Sequence, residues 1–169
     1  ITFDGTEPLL ACHGTPFANN KKLHPNIEDF EDILHNYDEN YIVCGHTHIQ
    51  EIVYDGEKKI INAGAVGVPL KSPRKTQYII LTSDGCNWNP EFISLEYDVE
   101  RIIKELHESG LWDLSPYWCR ITQHLLYTGE VSHGTALFHV MKLNGYKDPW
   151  YNIAPSYWEE ALRELGIDQ

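Results

Sequence analysis

Tyr41-Ile42-Val43-Cys44-Gly45-His46-Thr47-His48 is an apolar run that ends in a glycine and is followed by two imidazoles one residue apart. The four apolar residues read as a buried strand, and Gly45 lets the chain bend at its end. In extended backbone, side chains at i and i+2 point the same way. His46 and His48 are therefore expected to converge on one metal ion or on two adjacent ions. Upstream, Leu9-Leu10-Ala11-Cys12-His13-Gly14-Thr15-Pro16 repeats the pattern, an apolar run closed by His, Gly and a proline turn. Alone, His13 would read as a surface or capping residue. Two strand ends that each present histidines make a metal centre the leading expectation.

A third segment, Ile60-Ile61-Asn62-Ala63-Gly64-Ala65-Val66-Gly67-Val68-Pro69, completes an ordered trio. His-Gly-Thr-Pro, then Gly-His-Thr-His, then an Asn-x-Gly-x-Val-Gly turn resembles the C-terminal half of a calcineurin-like metallophosphoesterase, over residues from about Leu9 to Asp98. The resemblance implies an α/β (α+β) fold, a β-sandwich flanked by helices, with a two-metal centre at the strand ends that hydrolyses phosphate esters. By the family pattern His13 and His46 would ligate one metal and His48 the other. Asn62 is a candidate for substrate contact, and Ala65 stands where the family often has serine. The family's earlier motifs, Asp-x-His, Gly-Asp with the bridging aspartate, and Gly-Asn-His with the catalytic histidine, do not occur ahead of Leu9. The chain begins at Ile1, so it reads as the C-terminal piece of a longer protein, expected to lack the catalytic residues and not to be competent alone.

The implied cofactors are two divalent ions. Nitrogen and oxygen ligation suits Mn, Fe, Zn, Ni or Co alike, and the ions would activate a hydroxide and neutralise charge on the phosphoryl oxygens. The reaction class is hydrolysis of a phosphate ester, with a phosphodiester favoured. A different class of function is also open: a non-catalytic phosphoesterase-like module that binds a partner through an aromatic helical tail.

Composition narrows the partners. With 25 acidic against 13 basic residues and a formal charge of -12, the chain has no basic stripe for a nucleic-acid polymer. A small phosphate-ester substrate suits it better, because bound cations reverse the local field. Cys12, Cys44, Cys86 and Cys119 form no C-x-x-C pair, and read as free thiols of a cytoplasmic protein rather than as a mixed Cys/His zinc site. No stretch approaches the roughly 18 apolar residues of a membrane span.

The chain divides by character into 1–98, the phosphoesterase-like part, and 99–169, a helical extension. In the first, Asn26 is expected to cap a helix with Glu28 and Asp29 in its first turn and Ile27, Phe30, Ile33, Leu34 and Tyr37 on one face. Asp55-Gly56 marks a hairpin between Ile49–Tyr54 and Lys59–Asn62. A second hairpin joins 77–82 to 88–98, with Ile93, Leu95 and Tyr97 on its dry face. Lys71, Arg74 and Lys75 form a basic loop between the hairpins. In the second part, helices are expected near 99–109, from Ser115-Pro116 to Gly129, over 132–144 and over 155–165. Trp112, Tyr117, Trp118, Trp150, Tyr151, Tyr157 and Trp158 are expected to pack a core or a homo-oligomer contact.

Overall fold

The computed structural model describes residues 1–28 and 30–167. It divides into two compact units, Ile1–Pro69 with Thr76–Leu95, and Leu70–Lys75 with Glu96–Gln169.

The first unit is built on a four-stranded sheet in the order β1 (Leu9–Ala11), β2 (Tyr41–Cys44), β4 (Lys58–Ala63), β3 (Gln50–Asp55). β1, β2 and β4 run parallel, with Ala11 opposite Val43 and Cys44 opposite Asn62, and β3 runs antiparallel to β4. Alternation sends neighbouring residues to opposite faces. Ile42, Cys44 and Ile60 pack with Phe30, Ile33 and Leu34 of helix α1 (Phe30–His35). Tyr41 and Ile61 face the other way, against Trp88 and the partly buried Ile79 and Leu81 of a two-stranded sheet, β5 (Lys75–Ser83) with β6 (Trp88–Glu96). The result is helix, sheet and sheet, stacked by burial on both faces of the parallel strands. Each such buried side chain contributes roughly 1.5–3 kcal/mol.

Three details depart from expectation. Helix α1 starts at Phe30, because 24–28 form turns in which the Asn26 amide donates to His24 Nδ1 (3.3 Å). Asn26 therefore lies in the turns ahead of the helix, and Asp29, assigned to that first turn, lies outside the described residues. On β6 and just past it, Ser94, Glu96 and Asp98 are exposed as the alternation requires, but Leu95 of the expected dry face is 49% exposed, and Tyr78, Ile80 and Phe92 are exposed as well.

The second unit is helical: α2 (Val99–Glu108), α3 (Leu111–Leu114), α4 (Pro116–Thr128), α5 (His133–Leu143) and α6 (Pro155–Glu164). Asp98 caps α2 and Ser132 caps α5, each through a side-chain oxygen that accepts from a backbone amide in the first turn. Ile121, Ala136, Val140, Trp158 and Leu162 meet in its core, and Tyr117 stacks on Trp158 with centroids 5.5 Å apart. Trp118, expected inward, is 39% exposed and leans on His133, while Trp150 and Tyr151 are exposed as well. Arg74 of the basic loop is bound to Glu100 (2.9 Å), which also accepts from Tyr127. Among the described residues no helix is long and apolar enough to cross a membrane.

Candidate metal centre

Parallel pairing of β1 with β2 carries on past the ends of both strands. The Cys12 amide donates to the Val43 carbonyl (3.0 Å) and the Gly45 amide to the His13 carbonyl (2.9 Å). That register brings His13 beside His46 at the carboxyl ends of adjacent strands, the end at which open α/β sheets bind ligands. Their ring centroids are 5.3 Å apart at 74°.

The reason these rings meet is not the one the sequence suggested. His46 and His48 both have left-handed backbone, φ 65° and 61°, so Gly45–Ile49 is a bend and the extended-strand argument for pairing them fails. Non-glycine residues in this region are strained by about 1–3 kcal/mol each and persist only where their surroundings enforce it. Here Asn62, 2% exposed at the end of β4, supplies the constraint. Its side-chain amide donates to the Gly45 carbonyl (2.6 Å) while its oxygen accepts from the Gly64 amide (3.1 Å). Both ends of Asn62 are thus committed to backbone, and the side chain ties the histidine bend to the glycine turn. Asn62→Ala is expected to lower stability by about 1–3 kcal/mol, since it takes the partner from the Gly64 amide and one of two donors from the Gly45 carbonyl, which also accepts from the Thr47 amide; chemical denaturation measures it.

His48 is turned to the Val68 carbonyl, which its Nδ1 meets at 3.0 Å. A carbonyl only accepts, so Nδ1 carries the proton and Nε2 is left with a lone pair for a ligand bond. On the other side, the backbone of Asn20 hydrogen-bonds the His46 ring and Lys22 lies close enough to repel its charged form. Burial, then the neighbouring charges of His13 and His48, push His46 below the ordinary value of 6.5. At neutral pH the ring is therefore unprotonated and able to donate its lone pair. The lowered value favours folding with the neutral ring, so the contribution is present above the unfolded value and is lost as pH falls through the folded one. His13→Ala is expected to raise the His46 midpoint but leave it below 6.5, because burial is the larger cause; NMR titration of the ring protons reads this directly.

The structure brings His13 and His46 together and leaves His48 the next step along the bend. Among the described residues, no group of three or more His, Cys, Asp or Glu side chains is arranged to hold an ion. Two imidazole nitrogens fit the nitrogen part of a site for a Mn-to-Zn divalent ion, and the anionic oxygen part is not among these residues. The cysteines do not supply it. Burial raises both Cys12 and Cys44, Cys44 to about 12, and the Cys12 thiol donates to the Gly14 carbonyl.

Two further residues of the His-Gly-Thr-Pro segment hold the loop in place, a role that the motif alone does not state. Gly14 is buried beneath the loop after His13, where an added Cβ would stand 2.2 Å from the Lys21 carbonyl oxygen and 2.8 Å from those of Ala18 and Asn19. Thr15 pins the same loop by exchanging backbone hydrogen bonds with Ala18 (3.0 and 3.3 Å).

The sequence profile of the calcineurin-like phosphoesterase superfamily domain matches residues 1–85. Among solved structures, a metallophosphoesterase from Sphaerobacter thermophilus is 20% identical with a TM-score of 0.56, over 76% of this chain and 58% of that one. A hypothetical protein from Pyrococcus horikoshii OT3 is 15% identical with a TM-score of 0.57, over 73% of this chain and 47% of that one. At these identities the likeness is one of fold, and the chain spans about half the length of the solved structures it matches. No curated protein matches it.

Proposed function

Since this chain belongs to the calcineurin-like phosphoesterase superfamily, we propose that it carries the imidazole part of a dinuclear metal centre that hydrolyses a small phosphate ester, with a phosphodiester as first choice. The observation that supports this reading is the His13–His46 pair, two rings 5.3 Å apart on adjacent strand ends. His13 and His46 would hold one divalent ion and His48, through Nε2, the other. Bound divalent ions of the Mn-to-Zn series supply Lewis acidity and a hydroxide nucleophile at neutral pH.

The chain's own contribution is orientation. The Val68 carbonyl fixes the His48 tautomer, Asn62 holds the bend that aims His46, and the lowered proton affinity of His46 keeps its nitrogen available. A net charge of -12 makes the acidic surface a poor host for a nucleic-acid polymer, which supports a small-molecule substrate.

Hydrolysis of bis-p-nitrophenyl phosphate with added Mn2+ by a protein that joins this chain to the family's Asp-x-His, Gly-Asp and Gly-Asn-His motifs, compared with the same protein in EDTA and with residues 1–169 alone, which should show little activity, tests the reading. Metal-dependent release of nitrophenol is the expected result. No hydrolysis together with no bound metal would favour a phosphoesterase-like module that binds without catalysis.

A further inference from the structure

We infer that the loop from Asn20 to Lys22 is a subsite for a second anionic group on the substrate, so that the ester this protein takes carries a further phosphate on its alcohol part. The inference rests on the phosphoesterase reading above and adds a substrate class to it.

Three observations carry it. Asn20, Lys21, Lys22, Asn26 and Glu28 line a concavity of about 620 Å3, which is within the roughly 300–1,000 Å3 of small-ligand sites. The concavity adjoins the end of β1, because the Lys21 carbonyl, with those of Ala18 and Asn19, stands against Gly14, the residue after His13. Finally, the charge is placed against the trend of the whole chain. Four basic residues fall in the first unit, Lys21, Lys22, Lys58 and Lys59. Lys58 is anchored to the carbonyls of Tyr37 (2.6 Å) and Glu39 (2.9 Å), and Lys59 lies over the Tyr41 ring. The other pair is exposed in the loop beside His46, with Lys21 Nζ 5.7 Å from the Phe17 ring centroid.

In a chain of this acidity, an anion approaching the strand ends meets repulsion except where these two ammonium groups stand. Asn20 and Asn26 add amide donors. Glu28 also lines the concavity, where its carboxylate opposes an incoming anion. Gly14 lets the loop close down on the strand ends, since its missing side chain makes room for the Ala18, Asn19 and Lys21 carbonyls.

The test is an NMR titration of the 15N-labelled chain with pyrophosphate and, separately, with inorganic phosphate, without metal. Pyrophosphate is expected to shift the amides of Asn20, Lys21, Lys22 and Asn26 and to bind more tightly than inorganic phosphate. The K21A/K22A variant removes two exposed side chains, and is expected to weaken pyrophosphate binding by about fivefold or more. E28Q is expected to strengthen it. Unchanged pyrophosphate affinity in K21A/K22A, or shifts confined to other segments, would overturn the subsite and leave the metal centre standing. A separate Zn2+ titration distinguishes the other failure. If neither His13 nor His46 responds to the metal, the phosphoesterase reading falls, and the loop's role as a subsite beside the reaction falls with it.

Discussion

His46→Ala is expected to reduce Mn2+-dependent hydrolysis of a phosphodiester by about 10²-fold or more, because changes even behind the ligands of a metal site typically cost 10–100-fold. The fold should survive. His46 is only partly buried, and the bend that carries it is held by Asn62 through the Gly45 carbonyl, not by the ring. Loss of activity with an unchanged melting temperature therefore separates ligation from stability. His13→Ala should behave alike, being exposed on the partner strand end. Activity in His46→Ala equal to that of the parent would remove the histidine pair from the chemistry.

Gly14→Ala is expected to produce the largest structural change of any single methyl group considered. The added carbon would stand 2.2 Å from a backbone oxygen of Lys21 and 2.8 Å from two others, and backbone cannot rotate away as a side chain can. Overpacking of this kind costs about 1–3 kcal/mol, a fall of roughly 10 °C in melting temperature for a unit of this size. The relief available is for the 18–22 loop to lift off the strand ends. Amide hydrogen exchange should show faster exchange at Thr15, Ala18 and Lys21, whose amides are bonded within that loop, and unchanged exchange in the helical unit. Unaltered melting and exchange would mean that the loop is not closed on Gly14 as described.

How much of this was legible in the sequence follows a physical division. Local signals were readable. The Asp55-Gly56 hairpin, the Ser132 cap and the Pro116 and Pro155 helix starts all rest on short-range backbone chemistry, and the structure has β3–β4, α5, α4 and α6 where those signals stood. The histidines stood out because Gly-His-x-His after an apolar run is uncommon. Their geometry was not readable, because it depends on which strands pair. His13 meets His46 only through the parallel register of β1 and β2, a contact between residues 33 positions apart. The i, i+2 rule failed at His46 and His48 because it holds for extended backbone, and a tertiary lock from Asn62 imposes left-handed conformations there. The same lock explains why Asn62 looked like a substrate contact: a polar residue at a strand end signals a site equally well whether it touches the ligand or braces the loop that does. At Gly14 the signal is an absence of side chain, whose meaning depends on three carbonyls supplied by a later loop.

The claim on which the rest depends is that His13 and His46 share a divalent ion. Long-range 1H–15N spectra of the imidazole nitrogens during a Zn2+ titration address it without recourse to a substrate. A nitrogen of the His13 ring and a nitrogen of the His46 ring should move together, with one common midpoint, and that joint response should vanish in His13→Ala. Rings that stay unmoved, or that respond at separate midpoints and survive each other's removal, would contradict it.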